Sequence, residues 1–364
     1  MTADRRGERR DRLLSLLDES DLDGLIVTHL PNVRYLTGFT GSSGIAVVLR
    51  EETILFSDFR YRTQAEMEVG PAVRVEIVAD DFWKRLWEVL GEFVGIKRIG
   101  YETARLTVGD AAKMEQADTR VQREPAGELV ERLRQQKDSD ELQAIREAAQ
   151  LAGEALAALL PGIRVGQREI EVAARLEFEL RSRGSEWHPF PTIVASGARS
   201  ALPHAHTGDR EIEAGDWLLL DFGAQVDGYC ADITRTVVVG RSADDRQQTI
   251  YELVREAQQH AIRHLRAGMT GREADGLARS VIEARGFGDS FGHSLGHGLG
   301  LEVHEEPRLS RSNETALPRG AVVTVEPGVY VPGWGGVRIE DDVHITDDGA
   351  ELLSDGDTEL RELS

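Results

Sequence analysis

The chain has 364 residues, 40% hydrophobic and 29% charged, which suits two folded domains. With 43 Lys plus Arg against 64 Asp plus Glu, its formal charge of −21 repels phosphate backbones and excludes nucleic acid as the expected partner. The one cysteine, Cys230, rules out an intrachain disulfide or a four-cysteine zinc site, and with neither an apolar signal core nor a ~20-residue membrane span a cytoplasmic protein without a membrane partner is expected.

An opening helix carries Leu13, Leu14, Leu16 and Leu17 as its apolar stripe, with the basic run 5–12 as its expected solvated face. Strand-rich runs follow at 24–28, 44–49, 53–56, 73–77 and 98–101, and helical patterns at 61–68, 82–93 and 108–116. This predicts a mixed α/β domain over 1–130. Between 124 and 140 the pattern becomes a long helix, capped by Ser139 or Asp140, with Ile145, Ala148 and Leu151 on one face. A second helix covers about 167–183. From Gly184 the chain is strand- and glycine-rich, with helices near 245–267 and 273–284, so 131–364 is read as an α+β domain.

The chemistry lies in this second domain. Residues 217–239, WLLLDFGAQVDGYCADITRTVVV, form two β-rich runs joined at Asp227-Gly228, a hairpin signal. A two-residue turn there sets Asp221 opposite Thr234, with Asp232 on the same face. The runs 321–331 and 337–346 flank the turn PGWGG and set Glu326 opposite, or nearly opposite, Glu340. All four carboxylates have apolar neighbours, where isolated charges are costly to bury. Between the hairpins lies FGHSLGHGLGLEVHEE, with His293, His297 and His304. Ser294 stands where a zincin helix needs glutamate and the interleaved glycines oppose a helix, so the zincin reading fails; those glycines instead permit close backbone approach. Four carboxylates around one imidazole overload one divalent ion but balance two, and the oxygen-rich set suits Mn2+, with Co2+ or Zn2+ as substitutes. Cys230 reads as a small packing residue.

The strings DFGAQVDGYCADITRT, HSLGHGLGLEVHE, VEPGVY and GVRIED, with PNVRYLTGFTGSSG and FSDFRY before them, resemble the pita-bread metallopeptidases of the aminopeptidase P and prolidase branch. The resemblance covers most of the chain. It implies a creatinase/prolidase-like α/β N-terminal domain and a pita-bread catalytic domain. It implies Asp221, Asp232, His297, Glu326 and Glu340 as ligands of two divalent ions. It gives His204 to the substrate carbonyl, His304 to the region of the scissile bond and His293 to a further substrate contact. Arg338 would position the bridging glutamate, Glu326 would shuttle a proton, and Tyr330 would line the pocket. The implied activity is Xaa-Pro aminopeptidase, acting as a homodimer on peptides with proline second. The alternative is Xaa-Pro dipeptidase (prolidase), and the remote one a non-catalytic peptide-binding protein. The large N-terminal domain and the EVHE and GVRIED contexts argue against methionine aminopeptidase.

Overall fold

The computed structural model describes residues 5–116, 120–354 and 357–363, which divide into two compact units, Met1–Arg134 and Gln135–Ser364.

In the first unit six strands are described: β1 (Gly24–Val27), β2 (Gly44–Leu49), β3 (Thr53–Asp58), β4 (Val73–Val78), β5 (Arg98–Tyr101) and β6 (Gln122–Pro125). Six helices accompany them: α1 (Arg5–Glu19), α2 (Leu30–Thr37), α3 (Arg62–Glu68), α4 (Phe82–Leu90), α5 (Val108–Glu115) and α6 (Leu129–Arg134). The strands form one mixed sheet in the order β4-β3-β2-β1-β5-β6. Its core joins Val47, Phe56 and Ile99 to Trp83 and Leu86 of α4. Because α6 buries Leu129, Val130 and Leu133 and ties Arg134 to Asn32 at 2.7 Å, the unit runs to 134 rather than ending at 130.

The basic run is not a solvated face. Arg9 and Arg10 are buried, and Arg6, Arg9 and Arg10 donate to the carbonyls of Thr37, Tyr35 and Leu36. Those closing carbonyls of α2 have no intrahelical partners and attract cations through the helix dipole.

The second unit opens with α7 (Ser139–Leu159) and α8 (Glu169–Ser182). Asp138, not Ser139 or Asp140, caps α7, because Glu141 reaches back to the Asp138 N–H and completes a capping box. Strands β7 (Ile193–Ser196), β8 (Trp217–Phe222), β9 (Gln225–Val226), β10 (Tyr229–Cys230) and β11 (Ile233–Val239) follow, then α9 (Asp245–His264) and α10 (Gly271–Ala284). The remainder is β12 (Gly296–Gly298), β13 (Glu305–Leu309), β14 (Val322–Val325), β15 (Gly328–Val331), β16 (Gly335–Arg338), β17 (Asp341–Ile345), β18 (Ala350–Leu352) and β19 (Glu362–Leu363). One sheet, β19-β11-β8-β7, packs against α7 and α8; the other, β13-β12-β14-β17-β18, packs against α9 and α10. On β8 the period of two sends Leu218, Leu220 and Phe222 into the α7–α8 core, at ~1.5–3 kcal/mol each. Trp217, Leu219 and Asp221 therefore take the other face. Among the described residues no helix is long and apolar enough to cross a membrane.

Candidate active site

At the tip of the first hairpin Asp227 (φ 46°) and Gly228 (φ 75°) both occupy the left-handed region, the two-residue turn that matches strand twist. Val226 pairs with Tyr229, and the same register carries down to Asp221 opposite Thr234. Gly223 is required on the way, since a Cβ there would lie 2.1 Å from the Ala231 carbonyl oxygen.

In the second hairpin Val325 pairs with Asp341 and Gly328 with Arg338, which places Glu326 directly opposite Glu340. Pro327 has no N–H to give the ladder and separates β14 from β15. On the adjoining strand a Cβ on Gly296 would meet the Thr324 carbonyl at 1.9 Å, so glycine lets β12 approach β14. The His297 N–H then donates to Thr324 Oγ1 at 3.1 Å, and its Nδ1 donates to the Gly298 carbonyl at 3.1 Å. That bond leaves Nε2 bare, 3.7 Å from Asp232 and 3.5 Å from Glu326.

The hairpins meet at an antiparallel bridge between Thr234 and Glu340. One row across the unit therefore reads Asp221, Thr234, Glu340, Glu326. The Thr234 hydroxyl donates to Glu340 Oε2 and accepts from Arg338 Nε at 2.9 Å. Arg338 also donates to Asp221, to Tyr330 Oη at 2.9 Å and to the Pro203 carbonyl at 3.2 Å. It thus holds Asp221 directly and Glu340 through Thr234.

Donor atoms of Asp232, His297 and Glu340 lie within 4.8 Å of one another, all buried. Burial, and after it the neighbouring carboxylates, raises Asp232 and Glu326 far above the usual carboxylate range. Burial and Asp221 bring Glu340 to about 7, and burial also raises Asp221 against the pull of Arg338. Burial and His304 lower His297 to about 3, keeping it neutral. Asp232 Oδ1 is buried without a hydrogen-bond partner. Crowded carboxylates, an unpaired carboxylate oxygen and a bare imidazole nitrogen are a donor set that fits divalent cations.

Asp221, Asp232, Glu326, Glu340, His204, His293, His297, His304 and Arg338 all line one cavity of about 870 Å³. Tyr330 does not line it. It is buried behind the wall, where its hydroxyl meets His293 Nε2 and Arg338 at 2.9 Å each. The β15–β16 ladder pairs Tyr330 with Gly336 and Gly328 with Arg338, so Tyr330 and Arg338 are diagonal neighbours on one face and their side chains meet. His293 is held at its other nitrogen by the Ser294 carbonyl at 2.8 Å, and burial lowers it to about 4. His304 stands edge-on to His297 with ring centroids 4.4 Å apart. His204 is exposed, one residue beyond the carbonyl that Arg338 grips. Cys230 is buried, and burial pushes its thiol far up, as befits a packing residue. Sequence reasoning passed over two residues. The hairpin register puts Thr234 opposite Asp221 without signalling its bond to Glu340, and Arg308, cross-strand from His297, lines the cavity.

Comparison with known proteins agrees with this architecture. The model of metallopeptidase family M24 matches residues 143–347, and that of the creatinase/prolidase N-terminal domain matches 9–136. An Xaa-Pro dipeptidase of Pyrococcus furiosus is 38% identical over 355 residues, covering 97% of this chain and 99% of that protein. The structure of an Xaa-Pro dipeptidase from Bacillus anthracis superposes with a TM-score of 0.94 at 41% identity, covering 98% of this chain and 100% of that one. An X-Pro aminopeptidase from Thermotoga maritima gives 0.90 at 37% identity, with 97% and 99% covered. The chain belongs to metallopeptidase family M24, with a creatinase/prolidase N-terminal domain and a pita-bread catalytic domain.

Proposed function

We propose that this metallopeptidase is a dinuclear exopeptidase that hydrolyses the Xaa-Pro bond at the N-terminus of peptides, with Asp221, Asp232, His297, Glu326 and Glu340 as ligands of two divalent cations. The observation that carries the reading is the buried carboxylate cluster around one bare imidazole nitrogen, with Asp232 Oδ1 unpaired. Two divalent charges and Arg338 against four carboxylates leave a net positive charge to face a developing oxyanion. Mn2+ suits the oxygen-rich set best, with Co2+ or Zn2+ as substitutes. When bound, the pair supplies Lewis acidity and an attacking water whose pKa falls to about 7.

The chain's own groups do the rest. Glu326, facing His297, takes the proton of the attacking water and passes it to the leaving nitrogen. His204, on the loop pinned at Pro203, donates to the substrate carbonyl oxygen, and the free amine of the first residue meets Asp221. His304 contacts substrate near the scissile bond, and His293, braced by Tyr330, borders the same space. The prolyl nitrogen carries no N–H, and the apolar wall of Ile170, Phe190 and Pro191 suits its ring. Any other second residue leaves an N–H poorly satisfied, at about 1–3 kcal/mol or roughly tenfold or more in rate. Ala-Pro-Ala should therefore be cleaved at least about tenfold faster than Ala-Ala-Ala. Equal rates would reject the proline assignment. A homodimer in the cytoplasm belongs to the same reading.

One observation favours dipeptides as the substrate. Arg308 lines the cavity, its carboxylate contact being Glu306 at 4.0 Å, so its guanidinium is available to a dipeptide's C-terminal carboxylate. In that second reading, Arg308→Ala slows Ala-Pro much more than Ala-Pro-amide; an equal loss on both favours the aminopeptidase.

A further inference from the structure

The four carboxyl groups are divided between two hairpins, so their spacing depends on how the hairpins are joined. At the seam the backbone supplies the Thr234–Glu340 bridge, with the Glu340 N–H donating to the Thr234 carbonyl at 3.2 Å. Side chains of three consecutive β11 residues add the other stitches. Thr234 reaches the Glu340 carboxylate, and Thr236 Oγ1 donates to the Arg338 carbonyl at 2.9 Å while accepting its N–H at 3.2 Å. Arg235 leaves β11 on the opposite face, beside Ile233 and Val237, yet its fork spans the seam. Nη1 donates to the carbonyls of Thr234 at 3.0 Å and Glu340 at 2.6 Å, and Nη2 pairs with Asp341 at 2.7 Å. Nε holds the Asp357 carbonyl at 3.1 Å. Asp341 is fixed in turn by Gln258 at 2.7 Å and Ser354 at 2.6 Å.

We propose that Arg235 is a positioning residue for the cation pair: by clamping the Glu340 backbone to that of Thr234, it sets the spacing between the two carboxylate pairs before any cation binds. The inference rests on the two-cation reading above. Arg235 touches neither substrate nor cation; it acts through Glu340. Only a planar, multiply donating group can hold both carbonyls and the Asp341 carboxylate at once, and lysine is a poor replacement for it. A cradle built in advance spares the ordering cost that binding would otherwise meet.

The test is Mn2+ titration calorimetry on metal-stripped protein, with thermal melts of the same samples. Wild type should bind two Mn2+. Arg235→Met should weaken at least one binding step by about tenfold or more, the worth of a hydrogen bond to a charged group. Arg235→Lys should recover part of that loss. Thr236→Val, which removes a neighbouring stitch, should also weaken binding, and with Arg235→Lys it carries the comparison if Arg235→Met does not fold. Arg210→Met, which breaks the part-buried pair with Asp216 away from the seam, should leave both affinities unchanged. Lower melting temperatures with wild-type Mn2+ affinities in all the seam variants would make Arg235 merely structural and overturn the proposal alone. Wild type that binds no Mn2+ would overturn the two-cation reading and this proposal with it.

Discussion

Glu102 in the first unit and Asp232 in the second are both buried carboxylates, and they differ in what surrounds them. Glu102 accepts from the N–H groups of Thr28 at 2.7 Å and His29 at 2.8 Å, and from the Asn32 amide at 2.7 Å. Asp232 has four other carboxylates for neighbours (Glu340, Asp221, Asp342 and Glu326), an imidazole at 3.7 Å and one oxygen with no partner. A carboxylate that serves the fold is saturated by donors it keeps. One that serves a cation site is left short of them, and the fold bears the cost until a cation arrives.

Removing each carboxyl group should have opposite consequences. Asp232→Ala should lower turnover by more than about a hundredfold, since even the outer partners of metal ligands command 10–100-fold. Its metal-free fold should hold or gain stability, because a buried carboxyl with an unpaired oxygen is gone. Glu102→Ala should do the reverse. It orphans buried donors, at about 3 kcal/mol in all, while the folded fraction keeps its turnover. Denaturant melts and steady-state rates check both, and near-normal turnover in Asp232→Ala would remove the first hairpin from the site.

His304→Ala sharpens the boundary between ligand and substrate contact. Turnover should fall by about a hundredfold, at the low end for a lost proton-handling or polarising group, with metal content intact. Loss of metal would instead make His304 a ligand.

The smallest expected effect is a pH slope. Below about pH 6.5 buried His293 and His297, at about 4 and about 3, stay neutral while their unfolded counterparts take up protons, a loss in acid that opposes the carboxylates' contribution. Above pH 6.5 the carboxylates decide. Unfolded ones are ionised, whereas Glu340 holds its proton to about 7 and Asp232 and Glu326 higher still. The folded metal-free chain then binds more protons than the unfolded one, so its stability falls as pH rises. Between pH 6.5 and 8.5 Glu340 alone gives about 1 kcal/mol. Saturating Mn2+ should abolish that slope, and a metal-free stability that rises over this range would contradict it.

Both hairpin registers were legible because a turn and a period of two settle which residues face each other. Asp227-Gly228 gives Asp221 opposite Thr234, and the PGWGG turn gives Glu326 opposite Glu340. How one hairpin meets the other is a contact between residues far apart in sequence, and no local period encodes it. The Thr234–Glu340 bridge and the Arg235 clamp belong to that class. Arg9 and Arg10 were misread for the same reason: a charged run looks solvated until the carbonyls of another helix end against it.

Metal-stripped enzyme decides whether the carboxylate cluster holds two catalytic divalent ions. Exhaustive chelation should abolish cleavage of Ala-Pro-Ala, and titrated Mn2+ should restore it with a break at two ions per chain. Full activity in protein shown by elemental analysis to hold no metal would rule out a catalytic cation pair.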